Sequence, residues 1–236
     1  MTLLEQSLPS FIRNTQAELH QQGYIILPHI FSDQTCHQIS ENLAEVTQSK
    51  PGTRRLLAFE WCQELARSLK SHPLISPLLG PNPVINQCTY FEKSPNQNWL
   101  VALHQDVSIA VQPNAVTTQL GISQKEGLSF VQPPVEVLKR LLALRVHLDD
   151  CTKDNGPLKV VPGSHQQGRL TDPMIAKLRD HSGDMSCLVT TGGVLAMRPL
   201  LLHASSKMAL PQHRRVLHFL CGPRQLPNGL VWHEAI

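Results

Sequence analysis

The sequence of 236 residues predicts a mainly β fold with flanking helices, built on a double-stranded β-helix, the cupin-like jelly roll. Apolar residues recur with helical periodicity in the first third of the chain. From residue 83 onward, about eight short apolar runs are separated by Pro, Gly and Asn. We therefore expect one domain over residues 1–236, with a helical part at about 1–80 and a jelly-roll core at about 83–222.

Three helices are predicted before the strand region. The first covers residues 10–22 and stops at Gly23, after which GYIILP is a short strand. The second begins near residue 32, where Ser and Asp are good caps. The third follows four apolar residues spaced four apart: Leu57, Trp61, Leu65 and Leu69. A further helix between residues 172 and 183 interrupts the strands, because Asp and Pro open it and Gly follows it.

The remaining elements are short strands. The candidates are 84–91, 100–111, 141–148, 158–161, 187–190, 194–198, 200–205 and 215–221. The stretch 112–134 carries few strand or helix signals, so we expect a long loop of the kind that often serves as a functional lid.

Composition narrows the classes of partner. The net charge of +3 comes with no basic run longer than a pair, so nucleic acid is not expected. No apolar run reaches the roughly 18 residues of a membrane span, and the N-terminus lacks the pattern of a secretory signal. Six scattered cysteines without a CxxC pair indicate reduced thiols. We expect a cytoplasmic protein.

The stretch LVALHQDVSIAV at residues 100–111 is apolar except at its centre, where His104 and Asp106 interrupt it. In a strand, residues two apart share a face, so both side chains would project together. Burying an imidazole and a carboxylate is costly unless something binds them. The segment RVHLDD contains a second pair of the same spacing, His147 and Asp149, and spacing alone does not choose between the two.

A metal site would need a third ligand from another strand. MRPLLLHASSK places His203 in an apolar segment, and eleven residues after it RRVLHFLC opens a strand with two arginines. Two histidines and one carboxylate with open positions are typical of non-haem Fe(II) oxygenases. An arginine inside the fold needs a carboxylate partner, which fits a 2-oxoacid cosubstrate.

Four blocks of the sequence, in this order, carry a family resemblance. They are FEKSPNQNWLVALHQD, LDDCTKDNGPLKVVPGSH, GGVLAMRPLLLHASSK and RRVLHFL. Together with GYIILP they resemble the phytanoyl-CoA dioxygenase family of Fe(II)/2-oxoglutarate oxygenases over roughly residues 23–221. The motif NGPLxVxPGSH is a stronger marker than HxD alone.

The resemblance implies a metal site and selects one of the two pairs. In the family, the metal-binding HxD precedes the NGP–PGSH block, so the ligands are His104 and Asp106, and the distal histidine matches His203. The pair His147 and Asp149 is then unrelated to the metal.

The resemblance also implies a cosubstrate site. Arg214 matches the arginine that binds the distal carboxylate of 2-oxoglutarate, and Ser205 matches the serine after the distal histidine. Strand alternation puts His218 on the same face as Arg214 and turns Arg215 outward. Arg145 stands where family members have an aromatic residue near the cosubstrate, so it contacts either the cosubstrate or an acidic group of the substrate.

Thr89 is a further candidate for the wall of the cosubstrate site. The residues Asn155, Gly156, Pro162 and Gly163 are taken as turn residues.

The implied activity is hydroxylation of an unactivated C–H bond in a small-molecule substrate, with Fe(II), 2-oxoglutarate and O₂, and with release of succinate and CO₂. Halogenating relatives lack the carboxylate ligand, so the presence of Asp106 favours hydroxylation. The substrate itself is not identified, and its contacts are expected from the segments 112–134, 50–60 and 165–185.

Two other functional classes fit parts of this pattern. A non-catalytic jelly-roll protein or pseudoenzyme would keep the metal ligands without needing Arg214. A zinc hydrolase would need a general base beside the open metal position, and no Glu or Asp is evident next to either ligand block.

Overall fold

The computed structural model describes residues 3–46, 53–113, 121–181 and 183–236. Its α-helices are α1 (Leu3–Gln22), α2 (Asp33–Val46), α3 (Glu60–Ser71), α4 (Val135–Leu138) and α5 (Asp172–His181). Its strands are β1 (Tyr24–Leu27), β2 (Pro83–Lys93), β3 (Val101–His104), β4 (Ile109–Val111), β5 (Ile122–Lys125), β6 (Leu128–Val131), β7 (Leu142–His147), β8 (Leu158–Val160), β9 (Met185–Cys187), β10 (Val194–Met197), β11 (His203–Ser205) and β12 (Arg214–Pro223). Across these residues, no helix has the length and apolar character needed to cross a membrane.

The described strands pair antiparallel in three sheets and do not close into a barrel. The largest sheet has the order β1-β10-β7-β12-β2, the second β3-β11-β8-β9 and the third β4-β6-β5. The second sheet carries a bulge where β11 pairs with β3, between His203 and Ser205. The predicted mainly β fold with flanking helices is confirmed.

The five-stranded sheet has two chemically different faces, because successive strand residues point to opposite sides. On one face, Leu144 of β7 and Phe219 of β12 pack with apolar residues of α1–α3 such as Leu43. Fully burying a side chain of this kind contributes roughly 1.5–3 kcal/mol. On the other face, Arg145 and His218 line a cavity. The helices therefore seal the outer face and leave the inner face for polar chemistry.

The predicted continuous strand 100–111 is wrong. Strand β3 ends at His104, and β4 begins four residues after Gln105 in a different sheet. The chain leaves the sheet because the buried Gln105 side chain donates to the carbonyl of Leu200 (2.6 Å) and accepts from the N–H of Leu170 (2.8 Å). The next backbone N–H, that of Asp106, donates to a carbonyl outside the sheet. Consequently His104 and Asp106 do not share the face of one strand.

The predicted loop 112–134 is also partly wrong. Residues 122–131 form the hairpin β5–β6, which turns at Glu126 and Gly127, both with positive φ (53° and 77°). Residues 114–120 of that stretch lie outside the described part of the chain.

Other boundaries also move, and the first helix begins at Leu3 instead of residue 10. The strand predicted at 200–205 begins only at His203, and the strand predicted at 187–190 lies at 185–187. The third helix begins at Glu60, because Leu57 belongs to a short 3-10 helix before it.

Candidate metal centre

A cavity of about 460 Å³ lies among the strands of the two larger sheets. Its described lining includes five basic side chains and a single carboxylate, that of Asp106. The basic residues are Arg54, Lys93, Lys125, Arg145 and Arg214. Such an excess of positive charge predicts that the cavity binds anions.

His104, Asp106 and His203 meet at this cavity. His104 ends β3 and lies directly across the sheet from His203, which begins β11, so their rings are 4.3 Å apart between centroids. The Asp106 carboxylate lies 3.7 Å from Nε2 of His104 and 3.6 Å from Nε2 of His203. One donor atom from each residue falls within 4.8 Å of the others, which suits a metal ion.

The tautomers of both histidines are fixed by the backbone. Nδ1 of His104 lies 2.8 Å from the carbonyl of Ala102, and Nδ1 of His203 lies 2.9 Å from the carbonyl of Leu201. A carbonyl only accepts, so Nδ1 must carry the proton in each ring. Both Nε2 atoms are left as lone-pair donors facing Asp106, which is the usual arrangement of metal-binding histidines.

The charges of the cluster match a cation. Burial is the main cause that lowers the pKa of His203 to about 4, although the charge of Asp106 opposes it. Burial raises the pKa of Asp106, but the surrounding imidazoles, first that of His203, lower it by more. At neutral pH the histidine is therefore neutral and the carboxylate ionised, the forms in which both residues bind metals.

The second pair, His147 and Asp149, has a different environment. Asp149 accepts two hydrogen bonds from the guanidinium of Arg215 (2.6 and 2.9 Å) and one from its backbone N–H (2.8 Å). His147 is 1% exposed, and neither ring nitrogen has a hydrogen-bond partner among the described residues. This pair is not part of the metal-ligand cluster found in the described chain.

Arg214 and Ser205 lie together on the cavity wall. Arg214 is 4% exposed, and its Nε and Nη1 atoms have no hydrogen-bond partner in the described structure. Burial lowers the pKa of its guanidinium. Such free donors match the two oxygens of a carboxylate in geometry and charge.

Arg145 and Thr89 also line the cavity. Nη1 of Arg145 donates to Nδ1 of His218 (2.9 Å), and the guanidinium lies over the ring of Phe91, 5.6 Å from its centroid. Thr89 is paired across the sheet with His218, and its hydroxyl accepts from the Gln87 side chain (2.8 Å). Burial and then the Arg145 charge lower the pKa of His218 to about 3, which keeps that imidazole neutral.

Only some of the segments expected to contact the substrate contribute described residues to the cavity lining. Lys125 and Phe130 from the hairpin and Arg54 from the segment 50–60 line the cavity. Arg54 forms an ion pair with Glu126 at 2.6 Å. Within the described lining, no residue comes from 165–185.

Lys93 is the site residue that the sequence analysis missed. It lines the cavity and is 1% exposed. A lysine beside Ser and Pro in FEKSP is typical of a solvent-exposed strand end. Strand alternation from Thr89 was the available signal, because Thr89, Phe91 and Lys93 share one face of β2.

The sequence profile of the phytanoyl-CoA dioxygenase family matches residues 19–216. The chain belongs to this family. The match covers all three ligand candidates and both residues of the Arg214–Ser205 site. A comparison with curated protein sequences found no match.

Solved structures with the same fold have low sequence identity to this chain. The α-ketoglutarate-dependent epimerase SnoN from nogalamycin biosynthesis has a TM-score of 0.69 and 14% identity, covering 91% of this chain and 84% of that chain. HygX from Streptomyces hygroscopicus, with nickel and 2-oxoglutarate bound, has a TM-score of 0.65 and 16% identity, covering 94% of this chain and 97% of that chain. EctD from S. alaskensis has a TM-score of 0.68 and 19% identity, covering 94% of this chain and 85% of that chain. At these identities the likeness shows the fold.

Proposed function

We propose that this family member is an Fe(II)/2-oxoglutarate-dependent dioxygenase that hydroxylates an unactivated C–H bond of a small molecule. The observation that carries the proposal is the pairing of two features in one cavity. One is a His-Asp-His cluster with free Nε2 donors, and the other is the buried guanidinium of Arg214, whose Nε and Nη1 atoms have no partner. A metal-binding protein without turnover has no use for the second feature.

The proposed metal ligands are His104, Asp106 and His203. Two imidazoles and one carboxylate on one side of an iron leave further coordination positions open, as this class of oxygenase requires. When bound, the iron together with 2-oxoglutarate and O₂ supplies the oxidation of the substrate, and succinate and CO₂ are released. The contacts of both Nδ1 atoms with backbone carbonyls hold the two rings in the ligating orientation.

The proposed cosubstrate site consists of Arg214 and Ser205, with Arg145 and Thr89 as its walls. Arg214 would hold the distal carboxylate through the Nε and Nη1 donors that have no other partner. The apolar side chain of Leu158, which lines the same cavity, limits the water that would compete for these bonds.

Charge favours a substrate with an anionic group. The charges of Fe(II) and 2-oxoglutarate cancel, so the cavity keeps its excess of basic side chains when both are bound. Arg54 is neutralised by Glu126, but Lys125 and Arg145 have no carboxylate within 4.0 Å among the described residues. We propose that Arg145 contacts the acidic group of the substrate if the cosubstrate does not bind to this guanidinium.

The test is anaerobic loading with Fe(II) and 2-oxoglutarate, followed by O₂ and a panel of small carboxylates and phosphates. We expect O₂-dependent succinate release, slow without substrate and faster with it, and a product heavier by one oxygen atom. A product of unchanged mass would indicate epimerisation, and loss of a hydrogen pair would indicate cyclisation. Absence of 2-oxoglutarate binding and of succinate would contradict the proposal and favour a non-catalytic protein, and O₂-independent hydrolysis would favour a hydrolase.

A further inference from the structure

Lys93 carries a buried charge and has no role in the cosubstrate site proposed above. Among the described lysines it is the buried one, with 1% of its surface exposed. No carboxylate lies within 4.0 Å of its ammonium group in the described structure, and burying an unpaired charge is costly. Burial, then the charges of Arg214 and Arg145, lower its pKa to about 8. A residue this expensive to bury indicates an anion that is bound during function.

The position of Lys93 puts it beside the other cosubstrate candidates. It is the last residue of β2 and pairs directly across the sheet with Arg214, the first residue of β12. Two like charges in this arrangement destabilise a sheet unless an anion lies between them. Its ammonium donates to the hydroxyl of Ser205 (2.8 Å) and to the carbonyl of Ser206.

Ser205 and Lys93 differ in the donors that they have free. The Ser205 hydroxyl has one proton, which it donates to the carbonyl of Gly156 (2.9 Å). The Lys93 ammonium has three protons, and its two contacts use two of them. Lys93 therefore retains a charged donor on the cavity wall, whereas Ser205 must break a bond to donate there.

The chain around Lys93 is shaped to admit its ammonium group. Gly156 has a φ of 70°, and a Cβ at this position would lie 3.1 Å from Nζ of Lys93 and 2.6 Å from the carbonyl oxygen of Ser206. The glycine in the NGP turn thus leaves the space in which the ammonium reaches β11. On another side, Nζ lies 5.9 Å from the ring centroid of Trp99.

We propose that Lys93 is a second cosubstrate-binding cation, which together with Arg214 holds the distal carboxylate of 2-oxoglutarate. This inference rests on the proposed function. The carboxylate would lie between the two cations, accept a hydrogen bond from the free N–H of Lys93 and offset the repulsion between the paired charges. Preference for a dicarboxylate cosubstrate would then depend on two basic residues from neighbouring strands.

The test combines protein variants with a ligand variant. Dissociation constants are measured by anaerobic calorimetry on Fe(II)-loaded protein, for 2-oxoglutarate and for its 5-methyl ester, whose distal end is neutral. We expect Lys93→Met to weaken binding of 2-oxoglutarate by ~10- to 100-fold, the value of a charge-assisted bond. The same variant should change binding of the ester by only a few-fold, and Lys93→Arg should restore most of the loss.

Control variants separate charge from folding. Lys159→Met removes a lysine of β8 that pairs with Asp184, so it should leave both dissociation constants unchanged. Lys93→Gln keeps a polar side chain, so it replaces the Met variant if thermal melting shows that Lys93→Met is unfolded.

Two results would overturn the inference. An equal loss for both ligands would assign Lys93 to holding Ser205 and Ser206 in place, and no loss for either would remove it from the site. If wild-type protein binds no 2-oxoglutarate, the proposed function fails and this inference fails with it. If wild-type protein binds it and Lys93→Met binds it equally well, the inference alone fails.

Discussion

The two HxD pairs have the same spacing and different surroundings. In both, the histidine ends a strand and the aspartate follows it, at His104 on β3 and at His147 on β7. The first histidine lies opposite His203, whereas the second lies opposite Val216. What distinguishes the proposed ligand pair from the other pair is therefore the residue that the neighbouring strand presents.

The aspartates differ for the same reason. Asp106 follows the end of β3 and reaches two imidazoles with free Nε2 atoms. Asp149 reaches the guanidinium of Arg215, which donates to both of its oxygens. A carboxylate already paired with arginine has little left to offer a metal.

The largest expected effect is on iron binding. His104→Ala and His203→Ala should each weaken Fe(II) binding by more than about 100-fold, because each removes one of three ligands. His147→Ala should retain wild-type iron affinity and lose only stability, since it leaves a cavity in the core. Equilibrium dialysis with metal analysis measures the iron affinity of each variant. Loss of iron in His147→Ala with retention in His104→Ala would reverse the choice of pair.

A smaller effect is expected for the cosubstrate. Arg214→Ala should weaken 2-oxoglutarate binding by about 2–5 kcal/mol, the usual cost of truncating one partner of a buried charge pair. Arg215→Ala is the matched control, because Arg215 is the next residue and pairs with Asp149. The quantities to measure are the Michaelis constant for 2-oxoglutarate and, by calorimetry, its dissociation constant. Equal losses in the two variants would contradict the assignment of Arg214.

The smallest effect is on stability and its pH dependence. Burial raises the pKa of Asp149, but the hydrogen bonds and charge of Arg215 lower it by more, so it lies below its ordinary value. Because the folded pKa is depressed, the pair stabilises the fold above the unfolded pKa of about 3.9, and this contribution disappears as the pH falls through the folded value. Asp149→Asn should therefore cost about 0.5–1 kcal/mol at pH 7 in urea unfolding.

The same comparison at low pH provides the check. As the pH falls through the depressed folded pKa of Asp149, the difference in unfolding free energy between wild type and Asp149→Asn should shrink toward zero, since below that pKa the wild-type carboxyl is protonated in both states. A difference that persists unchanged at low pH would show that the ion pair with Arg215 is not its source.

Local patterns were sufficient for much of the fold. Strand alternation in RRVLHFLC places Arg214 and His218 toward the interior and Arg215 outward, and the structure has Arg214 and His218 on the cavity and Arg215 paired with Asp149. The period of two is a local property of any strand, so it requires no knowledge of the partner strands.

Contacts distant in sequence explain what the sequence did not reveal. The break after His104 depends on Gln105 reaching Leu200 and Leu170, which are far along the chain. The β5–β6 hairpin turns at Glu126–Gly127, a weaker turn signal than Asn-Gly, and β5 is exposed along its length without alternation. The burial of Lys93 depends on the opposing Arg214 and on the space left by Gly156.

The most direct test of the account is the visible charge-transfer band of anaerobic protein titrated with Fe(II) and 2-oxoglutarate. It compares wild type with Asp106→Asn and Asp149→Asn, which make the same chemical change in the two pairs. We predict that wild type and Asp149→Asn develop the band and that Asp106→Asn develops little of it at equal iron concentration. A band absent from wild type, or lost in Asp149→Asn and retained in Asp106→Asn, would contradict the assignment of the metal centre.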